Sequence, residues 1–455
     1  MINLVNDLYN ENGEPIINGA DTIGNHDFRK EDGFFDFLER FFNTEFGYDR
    51  NSFPISRKKI QDVYENPDEL FFYYLKNSDS VNQILLNKNF KFSNDLINCL
   101  KTCDNIYVVF QSEHESDDEL GFVTLFEYLD EIGVSDKKVF LVNGNYIFNT
   151  YNEKYNRKIN HYRIKLIPST CCSVFSQIPI KYNTEKKGKF FICFNRTPKY
   201  HRYVNLVLLK NRNLLDDVNW SLIPIYNIID NDLDNSIKMY GNFFSHEEME
   251  KYEKDMLYIN SIGTKKSDYE EQRDWIDLEK NNQFKTDQLP KLTGAASESG
   301  GMMIPEDIET HENSYVNIIT ESQFKDRLNC LHISEKSFRP FAFYQIPLIL
   351  ASNGHIKKMK EIYDFDFFDD IIDHSYNDEP DQMKRHIKFI DEVERINKNK
   401  EEVKAFYNNN QQRFEENRKK IMNIQRDDSD YNFFKSFSSK KDFQKYLYAN
   451  KQRFI

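Results

Sequence analysis

The chain has 455 residues, with 74 acidic side chains against 61 basic ones and a net charge of −13. That length suits two domains or three, with a two-domain enzyme as the default. The acidity argues against a surface built to coat nucleic acid, which rests on Lys and Arg contacts to phosphate, but it leaves room for a local basic groove.

Only 39% of residues are hydrophobic, yet 39 Phe and 27 Tyr supply large apolar areas for a core. The opening MINLVNDLYNENGEP has no basic segment followed by an apolar one, so no secretory signal is expected. No run approaches the ~18 apolar residues of a membrane span. These features predict a soluble, cytoplasmic protein (host cytoplasm if the gene is viral). Cys99, Cys103, Cys171, Cys172, Cys193 and Cys330 form no CxxC pair, and neither disulfides nor a zinc site is expected.

Residues 1–60 are polar and glycine-punctuated, with one amphipathic run, Phe34 to Phe42, that predicts a helix. Asp21, His26 and Asp27 fall close together in either a capped turn or an acceptor-site loop. Apolar spacing from Asn77 to Leu100 predicts helix. Ile106 to Phe110 is a continuous β run delivering the loop QSEHESDDE. In that loop Glu113 or Glu115, with His114 as the local rival, is the candidate base for an acceptor proton; the alternative is a solvated acidic loop. A helix from Leu120 to Ile132 and a strand from Lys138 to Asn145 follow. Alternation of β and α units, with polar loops after the strands, predicts a parallel sheet in a first Rossmann-like domain spanning residues 1–185.

The segment Tyr182 to Lys189 is the boundary candidate. The strand Phe190 to Phe194 then leads into Asn195, Arg196, Thr197 and Pro198 and a helix bearing Leu206 and Leu209, which opens a second Rossmann-like domain over residues 186–377. Arg196 is either a phosphate-facing cation or a surface arginine. From Asp230 to Asp287 charge rises and periodicity weakens, as in an insertion. Thr293 to Gly301 is small, polar and glycine-rich, a loop positioned to order over a ligand.

The stretch from Tyr315 to Ser352 carries the strongest pattern. Two apolar runs, Tyr315 to Ile319 and Ile346 to Ala351, read as buried parallel strands. Between them Ser334 is a plausible N-cap, and Glu335 and Arg339 share one helical face. Lys336 sits in the first turn, where free amides favour an anion. Pro340 makes the helix kink or start near Arg339. This strand–turn–helix–strand unit presents a carboxylate and two cations at the carboxyl end of a sheet, where ligands of open α/β sheets bind.

After Ala351, Asn353-Gly354 predicts a turn, then a short helix, a connection and a second helix. Asp364 and Asp366 form a DxD that is either a metal motif or, among Phe365, Phe367 and Phe368, an aromatic-packed turn; no essential metal is expected. Residues 378–455 read as a helical C-terminal extension, with helices from Met383 to Ile396 and Glu401 to Ile421.

The phrase SEKSFRPFAFYQIPLIL resembles the donor-binding stretch of α-1,3-fucosyltransferases and of uncharacterised viral glycosyltransferases, which have the two-Rossmann-domain GT-B fold. The upstream Ile319 to Ser322 matches the strand preceding that helix. The resemblance implies that Glu335 meets sugar or ribose hydroxyls and that Lys336 and Arg339 meet the diphosphate, beside Ser334. A similar N-R-x-P-x-x-H-R phrase in the viral enzymes adds Asn195, Arg196 and Arg202. Pro340 departs from the fucosyltransferase pattern.

Together these features predict an α/β fold of two Rossmann-like domains, GT-B-like, with the helical C-terminal extension either crossing back onto the first domain or serving as a partner arm. The expected activity is metal-independent transfer of a sugar from a nucleotide-sugar donor, with no other cofactor. The acceptor hydroxyl would belong to a glycan, a protein or a modified DNA base. The rival class is a non-catalytic Rossmann-like binding or scaffold protein.

Overall fold

The computed structural model describes residues 2–6, 55–77, 92–112, 119–164, 172, 175–176, 178–195, 200–221, 308–322, 324, 331–424 and 429–449. The Phe34 to Phe42 run, Asp21, His26 and Asp27, the loop holding Glu113, His114 and Glu115, Arg196, and residues 230–301 lie outside the described residues.

Two parallel sheets organise the chain. The first contains β1 (Ile2–Asn6), β2 (Ile55–Lys59), β3 (Phe71–Asn77), β4 (Ile106–Ser112), β5 (Val139–Asn143) and β6 (Asn160–Arg163), in the order β2-β1-β3-β4-β5-β6. From β2 onward every step runs the same way across the sheet. Right-handed crossovers therefore place their helices on one face. These are α1 (Ile60–Glu65), α2 (Asn94–Thr102), α3 (Glu119–Ile132) and α4 (Phe148–Lys154). Strand alternation follows: Val108 and Phe110 join Leu96, Phe122 and Leu125 in one core, while Val109 turns to the other face.

The chain enters its second sheet at β7 (Phe191–Phe194), followed by α5 (Tyr200–Asn211), β8 (Val218–Ser221), α6 (Ile308–Glu312), β9 (Val316–Thr320), α7 (Arg339–Ala342) and β10 (Ile346–Leu350). The order is β8-β7-β9-β10, all parallel. Both β9 (VNIIT) and β10 (IPLIL) are buried along their whole length, which suits their mostly apolar sequences.

A helical region completes the molecule: α8 (His355–Tyr363), α9 (Gln382–Lys398), α10 (Lys400–Asn409), α11 (Gln411–Ile424), α12 (Ser429–Ser436) and α13 (Lys440–Ala449). The helix predicted from Glu401 to Ile421 is thus two helices, separated at Asn410. The second helix expected after α8 is only a 3-10 turn, His374–Asp378. The last two helices return to the first sheet. Phe433, Phe434, Phe437 and Phe443 cover its otherwise open face, with Phe433 stacked on Tyr162 at 3.8 Å and Phe437 on Phe72 at 4.0 Å.

Among the described residues no helix is long and apolar enough to cross a membrane. Cys99, Cys103, Cys172 and Cys193 are free thiols.

Candidate functional site at the carboxyl end of the second sheet

The order β8-β7-β9-β10 reverses direction between β7 and β9. Two neighbouring strands whose connections leave in opposite directions open a crevice at their carboxyl ends. Asn195 follows β7 and Glu321 follows β9. The Thr320 hydroxyl donates to Asn195 Oδ1 and ties the two strand ends together. Asn195 is buried and serves as this tie.

Glu321 is fully buried and is the hub of the site. Its Oε1 accepts from Ser334 N at 3.2 Å, Ser334 Oγ at 3.0 Å and Ser337 Oγ at 2.5 Å, and its Oε2 accepts from Ser322 N at 2.9 Å. Burial works to raise its pKa. Nearby His355, Lys336 and His332 and the Ser337 hydroxyl overcome that and hold it at about 2. Glu321 is thus a carboxylate throughout the neutral range, fastening the turn that carries the sequence motif.

Ser337 Oγ lies 2.9 Å from His355 Nε2. A hydroxyl has one proton, and Ser337 gives it to the charged Glu321, so His355 donates from Nε2. Burial pushes His355 down to about 4, against the pull of Glu321, and leaves it neutral at pH 7. Helix α8 begins at Gly354, whose φ of 74° admits glycine readily. Asn377 fixes that start by accepting from Ile356 N at 2.9 Å and donating to Ser352 O at 3.1 Å.

The motif residues lie on a 3-10 turn, Glu335–Phe338, that runs into α7 with Pro340 in its first turn. Proline therefore starts the α-helix at Arg339 and does not kink it, because its missing N–H is an orphan there anyway. Lys336 Nζ is 2.6 Å from Glu335 Oε1 and 3.5 Å from both Ser322 Oγ and Ser334 Oγ. Arg339 Nη2 is 3.9 Å from the same Glu335 oxygen. Glu335, Lys336 and Arg339 expose 17%, 19% and 14% of their side chains, enough to meet a ligand at an edge. Burial would raise the Glu335 pKa, but Lys336 and Arg339 hold it below its ordinary value.

The sequence offered the amides of this turn to an anion, and the structure assigns two of them inward. Lys336 N donates to Ser334 Oγ at 3.3 Å and Ser337 N to Ser334 O at 3.3 Å. Any anion is left to the side-chain cations. Arg202, on α5, is buried and donates to Thr320 O at 3.3 Å. Burial lowers its pKa while Glu321 and Glu335 favour its charge, so it acts on the two carboxylates from within the fold.

The first sheet reaches this region through the loop after β5. Asn143 Oδ1 accepts from Asn145 N at 3.0 Å, and Asn145 Oδ1 from Ile147 N at 2.8 Å. The loop so shaped brings Tyr146 N to Leu331 O at 3.0 Å and the Tyr146 hydroxyl to that of Tyr363 at 2.7 Å. Gly144 packs closely enough that a Cβ there would meet His332 Nδ1 at 3.3 Å.

The structure thus joins Glu335, Lys336, Arg339, Ser334, Asn195 and Arg202 in one cluster. Sequence reasoning overlooked Glu321, Ser337 and His355. An acid closing an apolar strand run was the available sign for Glu321.

Each DxD acid is paired with its own cation. Asp366 accepts from Arg413 Nε at 2.6 Å and Asp364 pairs with Lys420 at 2.9 Å. Phe365 stacks on Phe341 at 4.1 Å, as an aromatic-packed turn requires. A recess of ≈ 680 Å³ between α8 and the 3-10 turn His374–Asp378 contains none of the motif residues. Asp369 and Asp370 on its wall are taken by Lys360 and Arg413, so the convergent chemistry at Glu321 is the better guide to function.

Comparison with protein-family models, curated proteins and solved structures finds no match to this chain, and the geometry at the carboxyl ends of β7 and β9 carries the functional argument.

Proposed function

We propose that the protein is a metal-independent glycosyltransferase of the GT-B type that binds a nucleotide-activated sugar at the Glu321 cluster. The observation that carries the reading is the convergence of Lys336, Arg339 and Glu335 on one strand-end crevice, anchored by a buried carboxylate. A departing nucleoside diphosphate gains negative charge as the glycosidic bond breaks. Two preplaced cations in a partly dry site stabilise that charge without reorganising. Glu335 supplies an acceptor for a sugar or ribose hydroxyl. The base that takes the acceptor proton comes from the loop after β4, where Glu113, Glu115 and His114 are the candidates. The acceptor is a hydroxyl of a glycan, a protein or a hydroxymethylated DNA base.

A second reading, a non-catalytic binding protein, draws on one observation. Lys336 is already neutralised by Glu335 at 2.6 Å, so the cluster is stable without a ligand. The two readings share ligand binding and part at transfer.

The test is calorimetric titration of wild type, Lys336→Ala and Arg339→Ala with UDP and GDP, beside their melting temperatures. Loss of one charge-assisted phosphate contact should weaken binding by about 1.5–3 kcal/mol, roughly 10- to 150-fold. Arg339→Lys should behave like Arg339→Ala, since an ammonium cannot span two oxygens. Unchanged affinity in both alanine variants, with the fold intact, removes the support for a nucleotide-sugar site. Binding without sugar transfer to any acceptor class selects the binding-protein reading.

A further inference from the structure

Arg163 is the last residue of β6, paired with Asn143 at the carboxyl edge of the first sheet. Its guanidinium lies over the Tyr146 ring, 4.5 Å from the centroid. Tyr146 is the residue that bridges to Tyr363. Arg163 therefore stands at the seam between the strand ends of the first sheet and the second-sheet site.

What sets it apart is that, among the described residues, its side chain has neither a carboxylate nor a backbone carbonyl as partner. Arg157, Arg212, Arg395 and Arg413 sit on carboxylates. Arg385 and Arg418 donate to backbone carbonyls. Arg163 is half-buried, and its Nε is a buried donor with no hydrogen-bond partner among the described residues. Among the described residues, the groups around it offer no anion. His161 is neutral, pushed down to about 3 by burial and by Arg163 itself. Tyr146 and Tyr363 are phenols whose pKa values burial raises. The acids that act on Tyr146 among the described residues, Glu321 and Asp430, are engaged by Ser334, Ser337 and Tyr162. In a chain of net charge −13, a half-buried arginine with no acid beside it among the described residues is conspicuous. Withdrawing a cation from water without a partner is unfavourable. Stacking on Tyr146 offsets part of that cost and fixes the guanidinium plane, which leaves its N–H groups to a planar or tetrahedral oxyanion.

We propose that Arg163 is the seat for an oxyanion, a carboxylate or a phosphate ester, carried by the acceptor sugar. The seat itself rests on the geometry at Tyr146. Its assignment to an acceptor rests on the glycosyltransferase reading above. The site then has two anion-binding halves: Lys336 and Arg339 for the donor diphosphate, and Arg163 for the acid group of the acceptor. Acidic acceptors would be preferred over neutral ones because an unfilled Arg163 stays unpaired when a neutral sugar is bound.

The test uses the full chain at low ionic strength, titrated with methyl glucuronide, glucose 6-phosphate and methyl glucoside. Wild type should bind at least one of the two acidic sugars roughly tenfold or more tightly than the neutral one. The acid that binds tells carboxylate from phosphate. Arg163→Gln should erase the preference, and Arg163→Lys should retain part of it, because lysine keeps the charge without the fork. Lys336→Ala should leave the preference intact. Failure of wild type to prefer either acid overturns the proposal, as does a preference that survives in Arg163→Gln. A preference lost in Lys336→Ala but kept in Arg163→Gln also overturns it, by placing the oxyanion at the diphosphate clamp. Because UDP and GDP binding is read separately, a protein that binds neither nucleotide but still shows the Arg163-dependent preference refutes the donor site and leaves the oxyanion seat standing.

Discussion

Glu321 decides whether the motif turn has a fixed shape. Four hydrogen bonds converge on its two oxygens, and the donors are the residues that place Lys336 and Glu335. Glu321→Gln keeps the size but turns one oxygen into a donor facing hydroxyls and amides that are themselves donors. Breaking such a buried network should lower the unfolding free energy by about 2–4 kcal/mol, measured by urea denaturation. Nucleotide affinity should fall with it, whereas Ser337→Ala, which removes one of the four donors and the acceptor of His355 Nε2, should cost about 1–2 kcal/mol. Equal effects of the two substitutions would show that Glu321 is not the hub. Sequence pattern brought out Glu335, Lys336 and Arg339 and missed Glu321, Ser337 and His355 for a physical reason. Glu335, Lys336 and Arg339 belong to one short phrase with helical spacing. Glu321, Ser337 and His355 matter only because two loops and a helix start meet at one strand end. His355 in particular looks like any histidine until α8 is placed.

At the scale of elements, the strands that declared themselves are those that are mostly buried. The sequences of β4, β5, β7, β9 and β10 are dominated by apolar residues. By contrast β2 (ISRKK) and β6 (NHYR) are edges of the first sheet, and their polar sequences suit strands with one open side. Neighbours hold them in place: Asn160 Nδ2 donates to both Lys137 O and Val139 O at 3.1 Å. Propensity does not. β3 (FFYYLKN) occupies an interior position and ends at Asn77; of the helix expected from Asn77 to Leu100, α2 covers the part from Asn94, and residues 78–91 lie outside the described residues.

The C-terminal helices illustrate the same rule in reverse. Their phenylalanines look like a loose tail until the open face of the first sheet is known. Phe433 and Phe437 stack on Tyr162 and Phe72, both buried. Phe433→Ala should destabilise the protein by about 3–5 kcal/mol in urea denaturation. Tyr448, 84% exposed on α13, should tolerate alanine within ~0.5 kcal/mol. If Phe433→Ala proves as mild as Tyr448→Ala, these helices do not form the second layer over the sheet.

For the whole molecule, acid should be the solvent condition that undoes the fold, and buried histidines are the reason. Burial pushes His161, His311 and His386 to about 3, and His355 and His374 to about 4. In the unfolded chain each would take a proton near pH 6.5. Between those values the unfolded state binds more protons than the native one, so stability falls as pH falls. The stabilisation from neutral burial is complete above pH 6.5 and drains away towards pH 4 and below. Glu321 acts in a lower window, its contribution present above about 4.5 and lost only as pH approaches about 2. Each histidine should cost on the order of 1–2 kcal/mol by pH 5. Several together are comparable with the ~5–15 kcal/mol that usually holds a domain folded. Urea denaturation at pH 8, 7, 6 and 5 should therefore give a nearly level stability down to 6.5 and a steep decline below it. His386→Gln, which removes one proton-binding group whose Nε2 lies 3.4 Å from Asn205 Oδ1, should make that decline shallower. A profile that stays level to pH 5 would mean these imidazoles are charged in the native state. Nucleotide binding should not share the steep region. Glu321 is ionised and His355 neutral from pH 6 to 8, so the Lys336–Arg339 clamp should hold a diphosphate with near-constant affinity across that range, until the fold itself begins to yield.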